Sequence, residues 1–358
     1  MEQTTAILVN YHCAADIAQA VHSVLVDAPS VRVVVVDNSE SIQEAQRLRH
    51  SLPVSVELLV ADRNLGFGVA CNWAAVHAPS DYYWLVNPDV RVQPGCLAAL
   101  LNALKSDPVL GAVAPRQCLD LERKWLFSPS WLPASIDTWV RERALCEPAV
   151  AKRYGRAVRA ESLKLWGATT KPVLQRALSG AAMLVRRRCL PVDSSLFDPA
   201  YFMYFEDSDL CRRLRRAGWR MAVVPLAEAV HLWRMGGHKN DLMERSAPVY
   251  FNQHFRNSPW LTKAQTVIGH DAVINSEMPI WYPDRPPQLP VSWTKGWSVE
   301  ISPLEVFLPS VGQVGFGSLI PWPKQVVDAV GGVPLFARLG SLGAGQEEAM
   351  ILALNSGE

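Results

Sequence analysis

The sequence has almost no net charge, no closely spaced cysteines and no long apolar run, and each absence excludes a class of protein. Its 35 basic and 34 acidic side chains leave +1 over 358 residues. That is too little to displace counterions from phosphates generally, so no nucleic-acid partner is expected. Seven cysteines (Cys13, Cys71, Cys96, Cys118, Cys146, Cys189 and Cys211) are odd in number and form no close pair. They argue against a zinc knuckle or disulfide framework and for a reducing compartment. No stretch approaches the roughly 18 apolar residues that cross a bilayer. Met1-Glu2-Gln3-Thr4-Thr5 runs straight into Ala6-Ile7-Leu8-Val9 without a basic leader, so no signal peptide is expected. A cytoplasmic location follows, with membrane contact limited to peripheral attachment at the inner face. The glycine-rich phosphate loop that opens dinucleotide and P-loop folds is also missing. Tyr11-His12-Cys13-Ala14-Ala15 stands there instead, so a phosphate ligand needs another counter-charge.

What is present is a composition of 49% hydrophobic and 19% charged residues, that of a folded globular chain long enough for two units. Short apolar runs at 5–11, 31–36, 54–60, 82–86 and 111–114 read as buried strands. Between them, helical spacing predicts helices over 16–28, 41–50, 68–77 and 94–105. Strands alternating with helices imply an α/β fold with a mainly parallel sheet covered on both faces. In such sheets ligands bind beyond the carboxyl ends of the strands. Those ends carry Asn10-Tyr11-His12, Asp37-Asn38-Ser39, Asp62-Arg63-Asn64 and Asn87-Pro88-Asp89. A turn or helix cap explains any one of them, whereas four together favour a site. Asn87 and Asp89 offer an amide and a carboxylate oxygen suited to a hard divalent cation, magnesium or manganese, which would neutralise a diphosphate.

The ordered set Val9-Asn10-Tyr11-His12, Val36-Asp37-Asn38-Ser39, Arg63-Asn64-Leu65-Gly66-Phe67-Gly68 with Asn72, Leu85-Val86-Asn87-Pro88-Asp89, Ser179-Gly180-Ala181-Ala182 and Phe205-Glu206-Asp207-Ser208-Asp209-Leu210-Cys211-Arg212 resembles the family-2 inverting glycosyltransferases of GT-A fold. Within that group it is most similar to the bacterial rhamnosyltransferase-like members. The resemblance runs from about Ile7 to Asn257. It implies that Asp37 pairs with the nucleotide base of a sugar donor, flanked by Asn10 and Tyr11. It also implies that Asn64, Gly66 and Asn72 line the donor pocket and that Asn87 and Asp89 stand at the D-x-D metal position, with Asn in place of the first Asp. Asp89 is then the direct ligand. The late histidine His231 is expected to reach the metal or diphosphate, with His238 as the alternative and Lys239 or Arg234 adding positive charge. Gly180 is placed in the donor pocket.

The cluster Glu206-Asp207-Ser208-Asp209 opens a predicted helix running to Gly218. Acidic first-turn residues cap helices on their own account, but beside the upstream motifs they suggest catalysis. By similarity Asp207 is the general base, with Asp209 a competing candidate and Glu206 in the same cluster. A carboxylate at a helix N-terminus should stay ionised near neutral pH. The expected reaction is an inverting transfer, with rhamnose from deoxythymidine-diphosphate rhamnose favoured. The acceptor is a hydroxyl of a glycan or lipid-linked glycan, as in polysaccharide biosynthesis for the cell envelope. A sugar nucleotidyltransferase would need the missing glycine-rich basic loop. A catalytically silent carbohydrate-binding protein would have no use for Asp89, Asp207 and Asp209.

The expected organisation is a GT-A glycosyltransferase domain over 1–258, a Pro-rich linker over 259–290 and a β-rich accessory region over 291–358. Within the first part, residues 115–178 break the alternation as an acceptor-side insert containing Trp125, Trp131, Trp139 and Trp166. From Arg141 to Arg176 it carries nine basic residues against Glu142, Glu147 and Glu161. Tryptophan with basic side chains suits a membrane interface and anionic lipid diphosphates, and a solvated helical subdomain accounts for it equally well. Near the end, strands are predicted at 297–301, 305–308 and 315–320 and a helix at 346–355. Acceptor binding, homo-oligomer formation and edge covering are all open roles for this region.

Overall fold

The computed structural model describes residues 2–191, 195–232, 239–267, 278–342 and 349–355. The chain opens with β1 (Thr4–Asn10), α1 (Ala14–Asp27), β2 (Arg32–Asp37), α2 (Ile42–Ser51), β3 (Glu57–Val60), α3 (Phe67–His77), β4 (Tyr82–Val86), β5 (Val90–Val92), α4 (Cys96–Ser106) and β6 (Leu110–Cys118). Next come β7 (Leu126–Phe127), α5 (Ser135–Cys146), α6 (Pro148–Trp166), β8 (Val173–Gln175), β9 (Ala182–Arg186), α7 (Glu206–Arg216), β10 (Arg220–His231) and α8 (Lys239–Phe255). The rest holds α9 (Pro259–Gln265), β11 (Ile280–Trp281), β12 (Trp297–Ser302), β13 (Val311–Gly315), α10 (Lys324–Val330), β14 (Leu335–Ser341) and β15 (Ala349–Leu354). These elements form two compact units. One comprises Met1–Gln117 with Thr169–His254, the other Cys118–Ala168 with Phe255–Glu358.

In the first unit β3, β2, β1 and β4 lie side by side and parallel, with Asn10 opposite Asp37 and Asp37 opposite Val60. The α/β class expected from the alternation is the one observed. The run Val33-Val34-Val35-Val36 is buried on both faces, as a central parallel strand must be. Against it pack Ile17, Val21 and Val24 of α1, whose spacing puts them on one stripe. β9 is antiparallel to β4 and to β6, so the sheet is mixed beyond its parallel half. β10 is a single strand of 12 residues. It pairs with β8 through Met221–Val223 and with β5 through Ala229–His231. Pro225 falls between those stretches, and its carbonyl accepts from Arg116 Nη2 at 2.9 Å.

The second unit holds the antiparallel neighbours β7, β13, β12, β14 and β15, with β11 parallel to β15, and the helices α5, α6, α9 and α10. Residues 118–168 share this unit with the C-terminal strands. Three local expectations fail here. Glu305–Leu308 is a turn, not a strand. Phe307 N–H donates to Leu304 O at 2.9 Å, and the apolar Val306 and Phe307 point into the core beneath it. Residues 316–320 leave the strand, because Gly317 takes φ +92° and its N–H goes to Thr294 O at 2.8 Å. The predicted C-terminal helix is strand β15, since pairing on both sides outweighs the helix propensity of Ala-Met-Ile-Leu-Ala-Leu. No helix among the described residues is long and apolar enough to cross a membrane.

Candidate active site

The exits of β1 and β2 are tied together by one amide. Asn10 Nδ2 donates to Asp37 Oδ1 at 2.9 Å and to Glu44 Oε1 at 3.4 Å, while Asn10 Oδ1 accepts from Cys13 N–H at 3.1 Å. Asp37 is 1% exposed, and its Oδ2 has no hydrogen-bond partner in the protein. A buried carboxylate oxygen left open in this way asks for a donor from a ligand. Tyr11, beside it, is 55% exposed and presents a ring to solvent. Asn38 holds the neighbouring loop. Its Nδ2 donates to Asn64 Oδ1 at 2.8 Å and its Oδ1 accepts from Leu65 N–H at 2.8 Å. Asn64 Oδ1 also accepts from Gly66 N–H at 3.0 Å. Gly66 has φ +78°, and a Cβ there would sit 2.2 Å from Phe202 O, so only glycine fits.

At the exit of β4, Asn87 N–H donates to Ala181 O at 2.8 Å. Asp89 follows one turn later, and its carbonyl accepts from Leu232 N–H at 3.0 Å. This fixes it against the end of β10, where His231 Nε2 lies 3.4 Å from Asp89 Oδ2. His231 Nδ1 is 3.0 Å from Gln117 Oε1. With the proton on Nδ1 donated to that acceptor, the Nε2 lone pair faces the Asp89 carboxylate. A shared cation would relieve that opposition. Among the described residues no three His, Cys, Asp or Glu side chains converge as a cage. One carboxylate and one imidazole nevertheless fit a hard cation that completes its shell with phosphate oxygens and water. His238 and Arg234 lie outside the described residues, as does the side chain of Lys239.

The start of α7 supplies the carboxylates. Tyr204 and Phe205 just before it take φ +68° and +69°, a left-handed conformation costing about 1–2 kcal/mol per residue outside glycine. Glu206 is 7% exposed, and its Oε2 has no partner. Burial, then the charge of Asp207, pushes its carboxyl up to about 8, which favours its neutral form. Asp207 is half-buried. Its Oδ2 accepts from Gly180 N–H at 3.2 Å and its Oδ1 from Ser208 N–H at 2.6 Å. The helix N-terminus alone would lower its carboxyl, yet burial wins and raises it. Asp209 lies at 0% exposure, bonded to Arg213 Nε at 2.7 Å and His254 Nε2 at 2.9 Å. Burial would raise its carboxyl, but those hydrogen bonds outweigh it and hold it below the ordinary range.

Two chains of contacts join these pieces. Gly180 meets Asp207 while the next residue, Ala181, meets Asn87, so the base candidate and the cation candidate flank one loop. Tyr204 is raised by burial and by the charges of Glu206 and Asp89, which puts it within electrostatic reach of both. Asn10, Asp37, Asn64, Gly66, Asn87, Asp89, Gly180, Glu206, Asp207 and His231 therefore gather at the carboxyl side of the parallel strands. Asn72 has another task, because its amide exchanges two hydrogen bonds with the Phe197 backbone, at 2.8 and 2.9 Å. Asp209 is likewise engaged elsewhere. Glu44, which sequence reasoning passed over, is 3% exposed and accepts from Ala14 N–H at 2.7 Å. Ser41-x-x-Glu44 has the form of a capping box. Ser41 Oγ accepts from Glu44 N–H at 3.2 Å, but the Glu44 carboxylate accepts from Asn10, Ala14 N–H and Arg47.

Residues 2–258 match the family described as "Glycosyltransferase like family 2". An N-acetylglucosaminyl-diphospho-decaprenol L-rhamnosyltransferase from Mycobacterium tuberculosis is 32% identical over 213 residues, covering 56% of this chain and 66% of that protein. The chain thus spans slightly less than two thirds of that relative's length. Rhamnosyltransferase WbbL from Escherichia coli (strain K12) is 49% identical over 53 residues, 15% of this chain and 20% of that one. Among solved structures, the mannosyltransferase PcManGT from Pyrobaculum calidifontis, in complex with GDP-Man and Mn2+, aligns with a TM-score of 0.45 and 17% identity over 74% of each chain. The family match covers well over half of the 358 residues, and the chain belongs to glycosyltransferase family 2.

Proposed function

We propose that this glycosyltransferase transfers a sugar, favoured as rhamnose from deoxythymidine-diphosphate rhamnose, with inversion, onto a hydroxyl of a lipid-linked glycan at the cytoplasmic face of a membrane. The observation that carries the reading is the pairing of two carboxylates of opposite duty around the 179–181 loop. Asp207 accepts from Gly180 N–H, and Ala181 accepts from Asn87 N–H, two residues before Asp89. The rhamnosyl donor and lipid-linked acceptor come from the chemistry named for the two relatives.

The open Oδ2 of Asp37 takes an N–H of the nucleobase, held in place by Asn10. Tyr11 offers its exposed ring to the base, and the Asn38–Asn64 pair keeps the Gly66 loop against the donor. Asp89 and His231 are the residues that would hold a magnesium or manganese ion, which when bound neutralises the charge of the diphosphate. Asp207 accepts the proton of the acceptor hydroxyl. The acceptor oxygen bonds to the anomeric carbon as the bond from that carbon to the diphosphate oxygen breaks, its electron pair leaving with the nucleoside diphosphate. Burial, by raising the Asp207 carboxyl, makes it a better proton acceptor than an exposed aspartate. Glu206 beside it, favoured in its neutral form, avoids a second negative charge there.

The test is single-turnover transfer to a lipid-linked acceptor by the wild type and by Asp207→Asn, with donor affinity measured separately. Loss of transfer at unchanged donor affinity is expected. Near-normal turnover would remove Asp207 as the base.

A further inference from the structure

The second unit contains a cavity of about 920 Å³ between α5, α6 and the C-terminal strands. Helix α6 turns one face to it through Ala151, Lys152, Gly155, Arg156 and Arg159, spaced three and four residues apart. Behind this face lies a buried ion cluster. Arg338, 3% exposed, grips Glu300 with both arms of its guanidinium, at 2.6 and 2.9 Å, and its Nη1 donates to Gly155 O at 2.8 Å. Arg159, 4% exposed, donates from Nη2 to Ser298 Oγ and Ser341 O, both at 2.8 Å. The Nε of Arg159 is buried and has no partner.

The cluster is built at a cost to local structure. A Cβ on Gly155 would stand 2.9 Å from Arg338 Nη1, and one on Gly340 would stand 2.3 Å from Arg159 Nη2. Glycine is a poor residue for the middle of a helix or a strand, so both positions yield propensity to admit a guanidinium. Two buried guanidiniums then share one buried carboxylate, Glu300. Of the other acids on the cavity, Glu147 is held by Arg143 at its Oε1 and Oε2, and burial raises the Glu305 carboxyl above the ordinary carboxylate value. Lys152 and Arg156 add two cations on the exposed edge of α6. The walls between these charges are apolar, with Ala144, Leu145, Val306 and Ile351 among them.

An excess of buried positive charge beside apolar walls fits a ligand that is negative at one end and hydrocarbon at the other. We propose that this cavity binds a phosphate-bearing amphiphile, its phosphate met by Arg159 and Arg156 and its chain lying along Leu145, Val306 and Ile351. None of its lining residues is among the sugar-transfer residues, and the proposal does not depend on their assignment.

Isothermal titration of the full chain with decyl phosphate below its micellar concentration, with no nucleotide sugar present, tests it. Decanol and inorganic phosphate serve as half-ligands. One saturable site is expected, at least tenfold tighter for decyl phosphate than for either half. Arg159→Met and Ala151→Trp, the second filling the groove without touching the buried cluster, should each weaken it at least tenfold while leaving the far-ultraviolet circular dichroism unchanged. Should Arg159→Met fail to fold, Ala151→Trp decides alone. Wild-type affinity in Ala151→Trp, or equal affinity for inorganic phosphate, overturns the proposal, the second outcome pointing to a bare-anion site or to a cluster that merely clamps α6.

Discussion

The two units bury charge of opposite sign. At the strand exits of the first, Asp37, Asp89 and Asp207 stand near Glu44, which Arg47 pairs at 3.0 Å, and Glu206, whose carboxyl burial raises, and buried oxygens of Asp37 and Glu206 have no protein partner. In the second, Arg159 and Arg338 outnumber Glu300 in the buried cluster, and the Nε of Arg159 is among the buried atoms without a partner. Burying a polar or charged group without a partner is costly in either place. What the contrast teaches is that the sign of the leftover charge describes the missing ligand. A site rich in carboxylates suits base N–H groups, a cation and an incoming hydroxyl, whereas one rich in guanidiniums suits an anion.

The strongest way to break the acidic half is at Asp207. Replacement by Asn preserves shape and removes the proton acceptor. General-base catalysis supplies roughly 10²–10⁴-fold, so kcat should fall by about that factor while the donor Kd, read by titration, stays within about twofold. Next in size is Asp89→Ala. If Asp89 with His231 holds the cation, donor affinity in the presence of manganese should drop about tenfold or more, near 1.4 kcal/mol, and the gap between metal-containing and metal-free measurements should close. Unchanged metal dependence would place the cation elsewhere. Both losses should leave decyl phosphate binding intact, which keeps the two halves of the contrast independent.

Asp209 sharpens the picture from inside the same helix turn. It is as acidic in sequence as Asp207, yet it is fully buried and paired with Arg213 and His254. Its task is to hold α7 against α8. Removing one partner of a buried pair costs roughly 3–5 kcal/mol, so Asp209→Asn should lower the melting temperature by several degrees, and any protein that remains folded should keep donor affinity. A normal melting temperature with lost turnover would reverse the roles of the two aspartates.

How much of this was legible follows from where each signal resides. β1, β2 and β4 are continuous apolar runs whose burial on two faces leaves no other reading, and the polar residues at their exits stand where parallel sheets place ligands. The division of labour between Asp207 and Asp209 was not legible, because it depends on His254 and Gly180, which reach them only through tertiary contact. Glu44 was hidden by its own motif, since a capping box explains it without a site. In the second unit, local propensity misled. Ala349–Leu354 has good helix formers, but β14 and β11 pair with it, and no pattern in the segment announces its neighbours. Gly155 and Gly340 read as helix and strand defects until the guanidiniums that require them are seen.

The remaining effect is the one most specific to burial, and it concerns pH. Glu206, with a carboxyl near 8 in the folded protein against about 4.3 in an unfolded chain, binds more protons folded than unfolded between those values. Its contribution to stability is therefore fully present below about pH 4 and is lost as pH rises through 8. Asp209, held below its ordinary value, has the opposite sign. Its contribution is present above the unfolded carboxylate range and is lost as pH falls through its lowered value. Two carboxylates on one turn should thus pull the stability curve in opposite directions. Glu206→Gln, neutral at every pH, should flatten the decline between about pH 5 and 8 in urea titrations and leave the acid limb unchanged, whereas Asp209→Asn should flatten only the acid limb. An unaltered slope in Glu206→Gln would mean that Glu206 is ionised when folded, and Asp207 would then have to work beside a second negative charge.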